Sequence, residues 1–411
     1  MIDLERLSKL RFEMSEVPKV GGQPGAYEEK WSQWFLERSF FRDFTYRNPR
    51  GRRKGDELAD AVVLFGDVLI MAQVKAQCGR HDPIAWATEK LPEAFGQLRK
   101  THDSLTQGHI KKLKNDVYGE IAFDPSHYPN RIGLIILAHQ STPYVAAELT
   151  PAILTAGFPV HVFSLDDFAT VASRFDTAAD LIIFLELRGD IASKEPLLVQ
   201  DEGGNIERMM PHVADTLRNH MSATTEEVLQ KTVRSFEDTA RGRLLTSPDW
   251  KYGLSIDDMI ARVHDIDPEL PWNKNNDRGL LGSMEVARFL GWLSRDRRIR
   301  LGKKIIAQCE AARDGEIRYF PHVQPSRGTA CVYLATSQSR PERVKMLQFL
   351  VSYAYLRYGT KYGVRQCLGV ATEPIGNGRS YDFYAPQEPP PQAMIDQLKT
   401  FDDPFSSDVP L

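Results

Sequence analysis

Between Asp56 and Lys75 the chain carries two apolar runs, Ala61-Val62-Val63-Leu64-Phe65 and Val68-Leu69-Ile70-Met71-Ala72, joined at Gly66-Asp67. Polar groups stand only at the far ends. Two β-forming runs around a Gly-led pair predict a hairpin with a two-residue loop, because Gly takes the positive φ that a type II′ turn needs at its first central position. With Phe65 and Val68 flanking the turn, Asp60 falls opposite Gln73, and the period of two puts Lys75 on the face of Gln73. The strands are apolar on both faces, as strands covered by helices on both sides are. A carboxylate, an amide and an ammonium thus converge at one end of a greasy ribbon.

Around this hairpin the pattern predicts a layered α/β half. Tyr27, Trp31, Trp34, Phe35 and Arg38 follow helical spacing and form a broad aromatic face. Residues 40–46 alternate as a short strand, and 47–55 form a basic loop rich in turn residues, with Arg50, Arg52, Arg53 and Lys54. A helix is predicted over 84–105, with Ala94, Leu98 and Leu105 inward and Gln97 and Lys100 near its edge. After a basic connection at 109–114 come buried strands at 131–138 and 159–164, then helices from 166 and over 178–187. Strand and helix alternation argues for an α/β sheet.

The stretch 193–205, with its Pro, Gly-Gly and charges, is the predicted linker. It separates a domain over 1–195 from an α+β domain of unassigned role over 206–411. Helices are predicted there over 221–240, 284–312 and 341–358, with strands over 328–335 and 366–371. The tail 386–411, rich in Pro and Asp, reads as peripheral, and no internal repeat is evident.

Composition narrows the function classes. A chain of 411 residues can bury two or three cores, and its net charge of -3 gives no global pull toward nucleic acid or membrane, so electrostatics must act locally. Cys78, Cys309, Cys331 and Cys367 show no CxxC pairing, which predicts reduced thiols rather than zinc or a disulfide framework. No run approaches the roughly 20 apolar residues of a membrane span, and the charged N-terminus is unlike a secretory signal. The expectation is a soluble, cytoplasmic protein without a membrane partner. His81, His102 and His109 lack metal-ligand spacing. Arg295, Arg297, Arg298 and Arg300 occupy several faces of a predicted helix, for which salt bridges are the expected use and nucleic-acid binding the alternative.

Taken physically, Asp60 and Gln73 offer hard oxygen ligands, the Val74 carbonyl a third, and Mg²⁺ suits such a partial oxygen shell. Lys75 beside an ion can hold water or offset charge developing on phosphorus. The basic loop just upstream of the first strand is well placed to meet a phosphodiester backbone.

At these residues the sequence resembles the PD-(D/E)xK nuclease superfamily, in its Mrr-like variant with QxK in place of (D/E)xK. The resemblance rests on Asp60 at the start of one strand, the hairpin return, and Gln73-Val74-Lys75 in the next. Gly25-Ala26-Tyr27-Glu28 with Trp31 is similar to that family's first helix, and Trp86 to Leu98 to the helix after the Lys strand. It implies a restriction-endonuclease-like α/β/α core with a mixed central sheet over about residues 20–190. It also implies a Mg²⁺- or Mn²⁺-dependent DNA endonuclease, of the sort that serves restriction or phage defence. Asp60, Gln73 and Glu28 would be ligands and catalytic residues, Lys75 the catalytic cation, and Arg50, Arg52, Arg53 and Lys54 the DNA contacts. The departure from the family is Gln73, which removes one negative charge and implies weaker metal binding. The alternative is a nuclease-fold module that binds DNA or a protein partner without cutting. The chain has no Walker-type loop, so an ATPase or defence partner would be a separate protein; a homo-oligomer is the other assembly expected.

Overall fold

The structure, a computed structural model, describes residues 26–47, 49, 58–77, 83–115, 119–138, 144–145, 157–192, 198–199, 249–263, 277–312, 315–374, 381–386 and 388–406. The described residues up to Val199 belong to one compact unit and those from Asp249 onward to another. Most of the 193–205 stretch, the helix predicted over 221–240, and Arg50, Arg52, Arg53 and Lys54 lie outside the described residues.

The first unit is a mixed α/β layer structure. Its helices are α1 (Ala26–Phe44), α2 (Pro83–Thr106), α3 (Leu165–Arg174) and α4 (Ala178–Ala192). A five-stranded sheet has β1 (Thr45–Arg47), β2 (Ala61–Phe65), β3 (Val68–Ala76), β6 (Asn130–Ala138) and β8 (Val160–Ser164) side by side in that order. β1, β2 and β3 are antiparallel, whereas β3, β6 and β8 are parallel. Two small ribbons pair β4 (Lys112–Asn115) with β5 (Gly119–Ala122) and β7 (Tyr144–Val145) with β9 (Leu198–Val199).

Alternation along the strands assigns each face. Val62, Leu64, Leu69, Met71, Ile135 and Leu137 pack with Trp86, Leu91, Ala94 and Leu98 of α2 in one buried core. The opposite face belongs to α1 and α3: Phe40 and Phe44 meet Phe65 edge-on, and Phe168 meets Phe35 and Phe163. Burial on both faces explains why the hairpin sequence is apolar throughout.

Two local readings change in this unit. The short strand expected over 40–46 is helical to Phe44, and the strand begins only at Thr45. Phe40 and Phe44 both reach Phe65. The helix breaks at Phe41, whose φ is 64° and ψ 158°, and distant groups hold the break. Thr45 Oγ1 donates to the Phe41 carbonyl, and Asn115 Nδ2 donates to the carbonyls of Arg42, Asp43 and Thr45. Asn115 ends β4, so part of the expected basic connection is also a paired strand.

The second unit is α+β. It contains α5 (Trp250–Arg262), α6 (Asp277–Gly291), α7 (Arg295–Ala311), β10 (Arg318–Gln324), β11 (Thr329–Ala335), α8 (Arg340–Tyr362), β12 (Gln366–Thr372), β13 (Tyr381–Tyr384) and α9 (Gln392–Leu398). Its sheet has the order β10-β11-β12-β13, with only β11 and β12 parallel. The single helix expected over 284–312 is two helices. Ser294 caps the second by accepting from the Arg297 N–H, and buried Arg298 donates to the Gly291 and Leu293 carbonyls at the end of the first. β10 escaped the sequence reading because Pro321 interrupts it; Pro is tolerated on an edge strand, which β10 is. The tail is not peripheral throughout. Leu398 and Phe405 enter the core on the α8 side of the sheet, where Phe405 meets Tyr319, Tyr353 and Tyr358.

Helices α5 and α7 touch backbone to backbone at Gly302. A methyl group there would fall onto the Tyr252 carbonyl and lie 2.8 Å from Ser255 Oγ. Because the obstructing atoms are main chain, Gly302→Ala is expected to cost about 3 kcal/mol or more, measured by urea unfolding; wild-type stability would refute the close packing. Among the described residues no helix is long and apolar enough to cross a membrane.

Candidate functional site

The hairpin turns at Gly66-Asp67 as expected. Gly66 takes φ 62°, and the register runs from Phe65 opposite Val68 to Ala61 opposite Ala72. One step further, Asp60 lies just before β2 and donates its backbone N–H to the carbonyl of Ala72, the residue that Ala61 faces, so the regular register ends there. Beyond Ala72, β2 has ended, and the Val74 N–H has no strand to meet on that side. Asp60 Oδ2 accepts that N–H at 2.6 Å. A strand residue's N–H and C=O point to the same side, so the Val74 carbonyl is directed to the same open edge beside Asp60.

Gln73 and Lys75 lie on the α2 face of the sheet, continuing the alternation of Leu69 and Met71, while the Asp60 carboxylate sits at the strand edge on the Val74 N–H. Gln73 is 6% exposed, and its Nε2 donates to the Leu58 carbonyl at 3.4 Å. That bond turns the amide oxygen into the available acceptor. The Thr101 hydroxyl, from α2, donates to the same Leu58 carbonyl and so ties helix to hairpin. Lys75 reaches α2 as well: its Nζ is 2.9 Å from Glu93 Oε1. Lys75 and then Lys90, both bonded to Glu93, hold its carboxyl below the usual range.

Glu93, Gln97 and Thr101 form a polar stripe at i, i+4 and i+8 on an otherwise apolar helix face. Glu93 binds Lys75, and Thr101 reaches the loop carbonyl that Gln73 uses. Gln97 lies between them, and its buried Oε1 has no hydrogen-bond partner. Reading single residues for family motifs passed over Glu93. Its signal was available as the polar i, i+4, i+8 repeat inside the predicted helix.

Glu28 stands in the first turn of α1, where the helix dipole favours an acidic side chain. That helix covers the face of the sheet opposite to Gln73 and Lys75. Gln73 and Lys75 thus share one face with Glu93 and Gln97 of α2, Asp60 stands at the adjoining strand edge, and Glu28 belongs to a helix on the other face.

The donors fit a hard divalent cation in kind: one carboxylate at Asp60, an amide oxygen at Gln73 and a main-chain carbonyl at Val74. The unpartnered Gln97 oxygen agrees with a site lacking an electropositive group. The set is poor in charge, however. Among the described residues no three His, Cys, Asp or Glu cluster in a way that holds a metal ion, and Glu93 is engaged with Lys75. Such a shell suits one weakly held Mg²⁺ or Mn²⁺ that keeps much of its water. No family model, curated protein or solved structure matches this chain.

Proposed function

We propose that the first unit is a metal-dependent nuclease of the restriction-endonuclease-like fold, hydrolysing phosphodiester bonds in DNA. The observation that carries the reading is the meeting of polar groups where β2 ends: the Val74 N–H donates to Asp60 Oδ2, and Gln73 and Lys75, on either side of Val74, both reach toward α2. Support also comes from element order: a first helix, the hairpin, the Lys strand and the helix after it follow one another as the resemblance implies. When bound, Mg²⁺ would supply charge stabilisation at the scissile phosphate and lower the pKa of a water. Asp60, Gln73 and the Val74 carbonyl would hold it. Lys75 would orient the attacking water or offset charge on the phosphate once Glu93 releases it. Glu93 would keep that ammonium in place between turnovers.

A second reading is favoured by two observations: Gln73 is neutral, and Lys75 is already ion-paired. Under it, the unit is a nuclease-fold module that binds without cutting. Incubating supercoiled plasmid with the protein and Mg²⁺ or Mn²⁺ separates them, since only the first reading produces nicked and linear DNA. Restoring the missing charge offers a sharper check. Gln73→Glu is expected to tighten Mg²⁺ binding about tenfold, as the mutual attraction of one added carboxylate near an ion at an effective dielectric of about 20 exceeds 1.4 kcal/mol. Titrating Mg²⁺ against cleavage rate measures it; a folded variant with an unchanged Mg²⁺ midpoint would remove Gln73 from the ligand set.

A further inference from the structure

In the second unit, α7 and β10 pack together, and their facing residues form a separate polar constellation. Lys304 places its ammonium 4.3 Å from the centroid of the Phe320 ring, which sets helix against strand. Toward the N-terminus of α7, Arg300 and Arg297 follow Lys304 at i−4 and i−7, on one helix face. Toward the C-terminus of β10, His322 and Gln324 follow Phe320 at i+2 and i+4, on one strand face. The helical span from 304 to 297 is about 10 Å, and the strand span from 320 to 324 is about 13 Å. The cationic stripe thus runs alongside the polar strand positions.

Behind the stripe lie buried donors without acceptors. His322 is 7% exposed and neither ring nitrogen has a partner; Gln324 is 4% exposed and its Nε2 has none. Burial first, then the charges of Arg297, Lys304 and Arg300, push the His322 pKa down to about 4. The ring is therefore neutral at pH 7 and carries one N–H. Phe289 closes the apolar side, edge-on to the imidazole at 6.0 Å between centroids. Just past Gln324, the exposed Arg327 guanidinium stacks on Trp292 at 3.5 Å from the ring centroid. Arg300 also pairs with Asp296 on the same helix.

Unpaired N–H donors beside cations are complementary to a compact anion with several acceptor oxygens. We propose that the α7/β10 face is a phosphate-binding site, in which Arg297, Arg300 and Lys304 hold the anion and His322 and Gln324 donate from behind. The phosphate belongs either to a nucleic-acid backbone, for which the adjacent Arg327–Trp292 pair suits stacking, or to a free phosphate or nucleotide. The site stands apart from the proposed metal centre in residues and in chemistry.

The test uses the full chain with EDTA present, so that cleavage plays no part. A fluorescein-labelled 20-base-pair DNA duplex is titrated by anisotropy across a salt series. In parallel, thermal melts compare sodium phosphate with sodium chloride at equal ionic strength. Arg297→Gln, Arg300→Gln and Lys304→Gln together remove the three charges, and because the Lys304 ammonium rests on Phe320 the Arg297→Gln/Arg300→Gln double variant is measured beside the triple one. DNA affinity is expected to fall at least tenfold, and the slope of log K against log salt to flatten by about two. His322→Phe is expected to raise the melting temperature, because an unpaired buried donor disappears, while weakening binding. If the wild-type chain ignores DNA but gains melting temperature from phosphate, and the triple variant does not, the site takes a free phosphate group. Unchanged DNA affinity together with an unchanged phosphate response in the triple variant overturns the proposal. So does a His322→Phe protein that binds like wild type. A chain that binds at this face yet never nicks plasmid would leave this inference standing while removing the nuclease reading.

Discussion

Asp60→Ala is expected to lower plasmid cleavage by roughly a thousandfold while leaving the chain folded. The carboxylate has two duties, and both are local. It supplies the carboxylate of the proposed ligand set, and it accepts the Val74 N–H at 2.6 Å on the edge where β2 has ended. Alanine removes the ligand charge, and water at this open edge can take over the single N–H, so stability changes less than activity. Lys75→Ala should lose activity to a comparable degree but differ in one readout. Mg²⁺ should still raise its melting temperature, because binding to the folded state stabilises by mass action, whereas the Asp60→Ala melt should ignore the metal. Cleavage that survives both substitutions would sink the assignment; a Mg²⁺-dependent melt that survives Asp60→Ala would move the metal elsewhere.

The largest expected stability effect lies in the second unit, at Asp257. Its two carboxylate oxygens accept from Arg295 Nη1 at 2.9 Å and Arg298 Nη1 at 2.6 Å. Arg295 is 1% and Arg298 0% exposed, so neither guanidinium can turn to water. Arg298 keeps its bonds to the Gly291 and Leu293 carbonyls in a variant, but those neutral acceptors cannot balance its charge. Removing one partner of a buried ion group typically costs about 3–5 kcal/mol, because an uncompensated charge remains. Asp257→Ala should show that loss in urea unfolding, a large part of the 5–15 kcal/mol over which domains are usually stable. Asp257→Asn, which keeps the shape and removes only the charge, should cost nearly as much. A loss below about 1 kcal/mol in both would mean the two arginines find other counter-charges. This network also settles the arginine run between 295 and 300. Arg295 and Arg298 are structural ion-pair partners, as the salt-bridge expectation held, while Arg297 and Arg300 point outward from the same helix.

Sequence alone was most informative where structure is set by nearest neighbours. Gly66 needs positive φ, the flanking runs are β-formers, and a two-residue loop admits one register. The pairing from Phe65–Val68 to Ala61–Ala72, and the shared face of Gln73 and Lys75, therefore follow from local sequence alone. The helices α2, α3 and α8 and the strands β6, β8, β11 and β12 were legible for the same reason: each carries its own periodicity or unbroken apolar run. The mixed α/β character of the first unit followed from their alternation.

What the sequence could not display were the contacts made across long separations. Phe41 leaves the helix because Asn115 and Thr45 take up the surrounding carbonyls, and nothing near residue 41 announces that partner. β10 forms despite Pro321 because its position at a sheet edge, a property of the whole sheet, leaves the missing N–H without cost. Leu398 and Phe405 become core because α8 and β10 provide a surface for them. The candidate site divides along the same line. Its strand residues were determined locally, by turn chemistry and a period of two. Glu93 on Lys75 and Thr101 on the Leu58 carbonyl were decided only when α2 docked on the sheet, because a side chain's partner across a layer depends on how that layer packs and not on its own neighbours in the chain.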